Sequence, residues 1–159
     1  MFSINANRIA LAALLVITNG CSLKKSNNTE MKNLTTNKEF VYEMISNKKR
    51  LEDYPERISD SMTIYEPSSL PFGGVYKGFN AYEQFYPKVR EFYDFSKLKI
   101  EDIYGDANSV FVLIDATIQK TNEPIKLCEH FKFDSLGKVI EVRLYIYDYE
   151  NKPIHTIIE

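Results

Sequence analysis

The most constraining feature of this chain is the punctuation of its second half. Four strand-like runs, Leu98 to Ile103, Ser109 to Gln119, Ile125 to Asp134 and Val139 to Tyr149, are separated by Gly105-Asp106, Thr121-Asn-Glu-Pro124 and Ser135-Leu-Gly137. Turn signals this short join neighbouring strands antiparallel, so the runs predict a meander of hairpins. In the third run Leu127, Glu129, Phe131 and Phe133 share one face, and Cys128, His130 and Lys132 share the other. In the fourth, Val142, Leu144, Ile146 and Asp148 alternate with Arg143, Tyr145, Tyr147 and Tyr149. One face of the sheet is therefore apolar and needs a cover.

The first half supplies it. Thr36-Asn-Lys-Glu39 reads as a capping box, and Phe40, Val41, Met44 and Ile45 recur at helical spacing, which predicts a helix running to about Lys49. Leu51, Tyr54, Ile58 and Met62 keep a three-to-four spacing and predict a second short helix, with Pro55 in its first turn. Met62, Ile64 and Glu66 then alternate onto one face of a strand that Pro67 ends, because proline holds Glu66 extended and removes the next ladder donor. A carboxylate thus closes an apolar row. The Pro71-Phe-Gly-Gly74 loop and the Gly78 stop before a short helix, Asn80 to Tyr86, predict a cavity rim, and a further helical piece is expected around Pro87 to Phe95. Helices followed by a meander give an α+β domain with helices on one sheet face.

The ends read differently. Arg8 and the apolar run Ile9 to Ile17, too short to span a bilayer, look like a signal peptide over residues 1–20. Gly20-Cys21 resembles the lipobox of bacterial lipoproteins, which implies lipidation of Cys21 and attachment to a membrane, although Thr18 stands where such boxes carry Leu. Residues 21–34 then form a polar tether, 35–150 the domain, and 151–159 a tail. The chain is accordingly expected to be exported, periplasmic or anchored at the outer membrane. A start at Met31 would instead make it cytoplasmic, and the two cysteines, Cys21 and Cys128, do not distinguish the cases.

A net charge of -2 without a basic stripe argues against nucleic acid, and Lys48-Lys49-Arg50 reads as cations offsetting a helix C-terminus. Gly73-Gly74 lacks the helix start and lysine of a phosphate loop, so no cofactor is expected. Cys128 and His130 share a strand face, but His155 is the other histidine and lies in the tail, so no metal is expected either.

The order of elements, together with Tyr65-Glu66-Pro67, Gly74-Val-Tyr-Lys-Gly78 and the hairpin Phe131-Lys-Phe-Asp-Ser-Leu-Gly-Lys-Val-Ile-Glu-Val142, resembles the SnoaL-like branch of the nuclear transport factor 2 superfamily over residues 35 to 150. The resemblance implies a bent sheet wrapped into a cone with an apolar cavity at its wide end. It also implies roles by comparison with ketosteroid isomerase: Glu66, before Pro67, at the position of the general base, and Glu129, ahead of Phe133-Asp134, at that of the protonated acid. Phe40 stands where the isomerase carries its oxyanion tyrosine, so one of two donors is missing.

Three readings follow. In the first, a small hydrophobic or amphipathic molecule is held by Phe40, Ile64, Phe131 and Leu144 and oriented by Glu66 or Glu129. In the second, the domain is an enzyme of isomerase, cyclase or hydrolase type in which Glu66 is the base and Glu129 the acid, with Asp148 a third carboxylate at the rim. In the third, the pocket is filled with side chains and the domain serves assembly. The aromatic outer face carrying Tyr145 and Tyr147 predicts a homodimer.

Overall fold

The structure is a computed structural model, and it describes residues 37–147. Six strands form one sheet in the order β2-β1-β6-β5-β4-β3. They are β1 (Ile58–Glu66), β2 (Gly74–Lys77), β3 (Lys99–Asp106), β4 (Ser109–Thr117), β5 (Pro124–Phe133) and β6 (Val139–Ile146). The β3 to β6 meander is antiparallel, as the turn signals predict. β1 returns to lie parallel to β6 and carries β2 on its outer edge.

The burial of β4 alternates along its length, with Val110, Val112, Ile114 and Ala116 facing the core. The other strands add Phe131, Phe133, Val139, Val142, Met62 and Ile64, all at most 3% exposed. Irregular registers interrupt the pairing between Ile58 and Thr63, Ile100 and Asp102, and Lys132 and Phe133. Such bulges bend a sheet. Here they curl it around the apolar face.

The cover is α1, residues 37–46, with the short α2 (Tyr86–Phe92) and three single 3-10 turns. α1 presents Val41, Met44 and Ile45 to the sheet and is pinned at its start. There the Asn37 side-chain amide donates to the Ala107 carbonyl at 2.9 Å, and Arg57 donates to Asn37 Oδ1 at 2.6 Å. The helix ends earlier than Lys49, in a turn that satisfies its last carbonyls. Lys48 N–H donates to Ile45 O at 3.0 Å and Lys49 N–H to Met44 O at 2.9 Å, with Lys48 in the left-handed region at φ 54°. That arrangement caps a helix most comfortably with glycine.

The second helix expected from Leu51 to Met62 does not form. Leu51–Asp53 and Pro55–Arg57 are separate 3-10 turns, and Ile58 and Met62 belong to β1. Ile58 pairs with Val139, so strand pairing of β-branched and serine-rich sequence outweighs a helix that Pro55 would in any case interrupt. The Asn80–Tyr86 helix is reduced to the 3-10 turn Tyr82–Gln84, and the helical piece at Pro87–Phe95 is α2, one residue earlier at its start and shorter at its end. β2 was not anticipated as a strand: its four residues are half exposed and too few to show a period.

The loop between β1 and β2 is wound tightly. Leu70 N–H donates to Pro67 O at 3.0 Å and Gly73 N–H to Leu70 O at 2.9 Å. A Cβ at Gly73 would collide with the Pro67 carbonyl, so only glycine lets the loop close. Closure drives Phe72, 1% exposed, between Phe85, Phe92 and Tyr93 at centroid distances of 6.3, 5.7 and 6.1 Å.

Candidate functional site

Between the concave sheet face and α1 lies a cavity of about 130 Å³. Its walls are apolar, including Met44, Ile45, Leu51, Phe72, Ile114 and Leu127. Polar side chains interrupt them inside, among them Glu66 at the end of β1, Glu129 in the middle of β5, Tyr82 on the 3-10 turn and Tyr93 just after α2, while Lys48, Lys49, Arg50 and Tyr86 also line the cavity.

Strand register explains why the two carboxyls meet. Tyr65 faces Arg143 across the β1–β6 pair, which sets Glu66 beside Leu144, and Leu144 faces Glu129 across β6–β5. The three side chains form one row over three adjacent strands and line the same cavity. Glu129 is partly accessible and lines the cavity.

Low-dielectric surroundings disfavour the charged form of both acids. Burial, followed by the Glu129 charge, pushes Glu66 up to about 8. Burial alone pushes Glu129 up to about 7. The two titrate as a pair, and near neutral pH the pair keeps a proton that solvated carboxylates would have lost. Tyr82 and Tyr93, 8% and 5% exposed, are held well above the usual phenol range, first by burial and then by the two carboxylates, so both remain O–H donors. One Glu66 oxygen and the Tyr93 hydroxyl are buried without a hydrogen-bond partner among the described residues. Buried polar atoms are seldom left so. A bound molecule or ordered water inside the cavity would satisfy them.

The residues expected to hold a ligand divide. Leu144 lines the cavity together with Glu66 and Glu129. Ile64 and Phe131 do not line it: they sit one row deeper, on either side of Val142, fully buried beneath the cavity as its floor. Phe40 lies outside it as well. Its ring meets Tyr54 edge-on at 5.2 Å and carries the Arg57 guanidinium at 4.2 Å, so it braces α1 against the 3-10 turns that follow it. Asp148 and Cys21 lie outside the described residues.

Sequence reasoning missed Tyr82 and Tyr93. Both come from irregular segments where no period marks the inward face, and the only local sign was their place beside the Gly78 stop and the Phe92-Tyr93 pair. Their phenols bring to the cavity the kind of donor that Phe40 cannot. On the opposite sheet face, His130 stacks on Phe111 at 3.9 Å and shares a 2.6 Å hydrogen bond with Ser109, away from the carboxyls.

No protein-family model matches the chain, and no curated protein matches its sequence. Solved structures do match in shape. A steroid delta-isomerase from Pseudomonas aeruginosa aligns with a TM-score of 0.58 at 13% identity, over 74% of this chain and 82% of that one. A nuclear transport factor 2-like protein from Burkholderia xenovorans aligns with a TM-score of 0.56 at 12% identity, over 75% and 92%. A SnoaL-like protein from Jannaschia sp. aligns with a TM-score of 0.57 at 16% identity, over 71% and 86%. At such identities the likeness is one of architecture. The chain has the cone-shaped α+β fold of the nuclear transport factor 2-like and SnoaL-like proteins.

Proposed function

We propose that the domain binds a small, largely apolar molecule in the cavity between α1 and the sheet, with Glu66, Glu129 and the phenols of Tyr82 and Tyr93 as its polar contacts. One observation carries this reading: a largely apolar cavity of about 130 Å³ is lined by a carboxylate and a phenol whose buried oxygens lack hydrogen-bond partners among the described residues. An apolar cavity of about 150 Å³ accommodates benzene, so the buried part of the ligand is the size of a six-membered ring or a short branched chain. The same void weighs against a pocket filled by side chains. Native mass spectrometry of the protein purified from its source tests the proposal: a retained small molecule is expected, and Leu127→Trp should expel it.

A second reading is favoured by the carboxyl pair. Two acids raised into the neutral range let one donate a proton while the other accepts one, which is the requirement for isomerase or cyclase chemistry next to a carbonyl. In this reading whichever acid of the pair is ionised abstracts a proton α to the carbonyl, and the protonated one, with Tyr82 or Tyr93, donates to the developing oxyanion; the resemblance puts the base at Glu66, whereas the higher value at Glu66 favours Glu129 in that role. Deuterium incorporation into a small cyclic enone, followed by NMR, separates the readings. Exchange that Glu66→Gln abolishes supports catalysis, and exchange at the solvent rate in both proteins leaves binding alone.

We also propose export with lipidation at Cys21. Labelling cells with an alkyne fatty acid tests it: label lost in Cys21→Ser supports the anchor, and equal background label in both proteins sinks it in favour of a start at Met31.

A further inference from the structure

The cavity opens at the C-terminal end of α1, and the opening is basic. Lys48, Lys49 and Arg50 are all exposed, yet they line the cavity whose other walls are buried, so they form its mouth. From there a surface groove continues past Tyr86 to Arg90, Asp53 and Asp94. Its two acids are already engaged: Asp53 by Arg50 at 3.6 Å and Asp94 by Lys97 at 3.3 Å. Arg50 is further occupied by Glu52 at 3.4 Å. Lys48, Lys49 and Arg90 have no ion-pair partner among the described residues. Two cations without an ion-pair partner among the described residues, Lys48 and Lys49, therefore stand at the opening, and a third, Arg90, stands along the groove that leads from it, in a chain whose net charge is -2.

Capping of α1 does not account for them. The last carbonyls of the helix are satisfied by the backbone N–H groups of residues 47 to 49. Lys48 moreover holds a left-handed conformation, at φ 54°, where glycine would cost less. A charged side chain is thus kept at a position whose backbone disfavours it, beside the mouth.

Resting on the binding reading above, we infer that the ligand is an amphipathic organic monoanion, a carboxylic acid whose apolar body fills the cavity and whose carboxylate lies at the mouth against Lys48 and Lys49, with Arg90 adding to the positive field from the adjoining groove. The interior could not hold that charge. Glu66 and Glu129 supply no cation, and whichever of them ionises would repel an anion. An ammonium head would reverse this preference, drawn inward by the acids and repelled by the rim.

Three probes of one shape test the inference on the full chain: 3-phenylpropionate, 3-phenylpropanol and 3-phenylpropylammonium, titrated while the methyl resonances of Ile45, Ile114 and Leu127 are followed. The acid is expected to bind about tenfold more tightly than the alcohol, an advantage of about 1.4 kcal/mol, and to lose that advantage as ionic strength rises. The double variant Lys48→Asn, Lys49→Gln should bring the acid to the level of the alcohol and leave the alcohol unchanged. Asparagine tolerates the left-handed conformation at position 48, and unchanged alcohol binding reports an intact cavity. Arg90→Gln should give a smaller loss of the same kind. Equal binding of acid and alcohol, an acid advantage that survives the double variant, or tighter binding of the ammonium overturns the basic-rim inference and leaves the cavity reading standing. If none of the three perturbs the cavity methyls, the cavity reading itself falls, and the rim inference with it.

Discussion

Glu66 and Glu129 flank Leu144 from opposite sides, in one row across β1, β6 and β5. Their backbones are separated by two strand spacings, about 10 Å, and their side chains converge on one apolar cavity. No cation lies between them in the row. Each acid is therefore stabilised as the neutral form, and each ionisation makes the next harder.

The sign of the resulting pH dependence is fixed. Folded, the carboxyls titrate at about 8 and about 7; the ordinary value is 4.5. Between those limits the folded state holds more protons than the unfolded one, so the pair's contribution to stability is fully present in acid and is lost as pH rises through 7 and 8. Glu129→Gln, neutral at every pH, should match the wild type at about pH 4 and exceed it by on the order of 2 kcal/mol at about pH 9. Urea denaturation across that range checks it. Parallel curves for the two proteins would mean that Glu129 ionises freely in the folded state.

Gly73→Ala tests what holds the cavity wall. A methyl group there meets the Pro67 carbonyl, so the 67–73 loop must open and Phe72 must leave its place between Phe85 and Phe92. Withdrawal of a buried aromatic from such a cluster costs about 2 kcal/mol or more. A fall in the urea midpoint with an unchanged slope is expected, together with loss of probe binding in the cavity. Wild-type stability in this variant would show that Phe72 is not held by loop closure.

How much of this was legible follows from what a period can encode. The alternation in β4 and β5 reports which face of the sheet is apolar, and Glu129 stood out as an acid within an apolar row. Alternation does not report height along the cone. Ile64 and Phe131 were therefore placed on the right face but one row below the cavity. Ile58 and Met62 misled because a spacing of four fits both a helix and one face of a strand; their pairing partner on β6 decided between the two. Tyr82 and Tyr93 lie in turns without a period, so their inward direction came only from tertiary packing. Lys48-Lys49-Arg50 does follow the C-terminal turn of α1, but that these cations also line a cavity depends on the tertiary placement of the turn, which no local pattern encodes.

The outer face of the sheet carries the proposal of a homodimer. Across its centre Arg143 covers Tyr65 at 3.9 Å and His130 stacks on Phe111, while Tyr104 and Tyr145 remain 54% and 45% exposed. Ion pairs border this aromatic band, Lys132 to Glu141 at 3.0 Å and Lys126 to Glu101 at 3.1 Å. An aromatic centre with a polar rim is the anatomy of a protein interface. Sedimentation over a range of concentrations should show a dimer, and Tyr145→Asp should shift it towards monomer, because a charge desolvated without a partner is costly. Monomer at every concentration removes the proposal.

Tyr93→Phe separates the needs of the fold from the needs of a ligand. The Tyr93 hydroxyl is buried, remains protonated, and has no hydrogen-bond partner among the described residues, although the ring is packed against Phe72 and Phe92. A donor left unsatisfied in an apolar site costs about 1 to 3 kcal/mol, whereas the ring's packing survives the substitution. In the ligand-free protein the phenylalanine variant should therefore melt at the same temperature as the wild type or higher. For a probe whose carbonyl oxygen reaches the cavity interior the effect should reverse: affinity should fall by about tenfold, while a probe of the same shape without the carbonyl is unaffected. Thermal melts with and without each probe read both effects. If the variant is destabilised without ligand, the hydroxyl has a structural partner, such as an ordered water, and its assignment to the ligand is withdrawn. If stability is unchanged and both probes bind as before, the donor that faces the ligand is Tyr82, and Tyr82→Phe should show the loss.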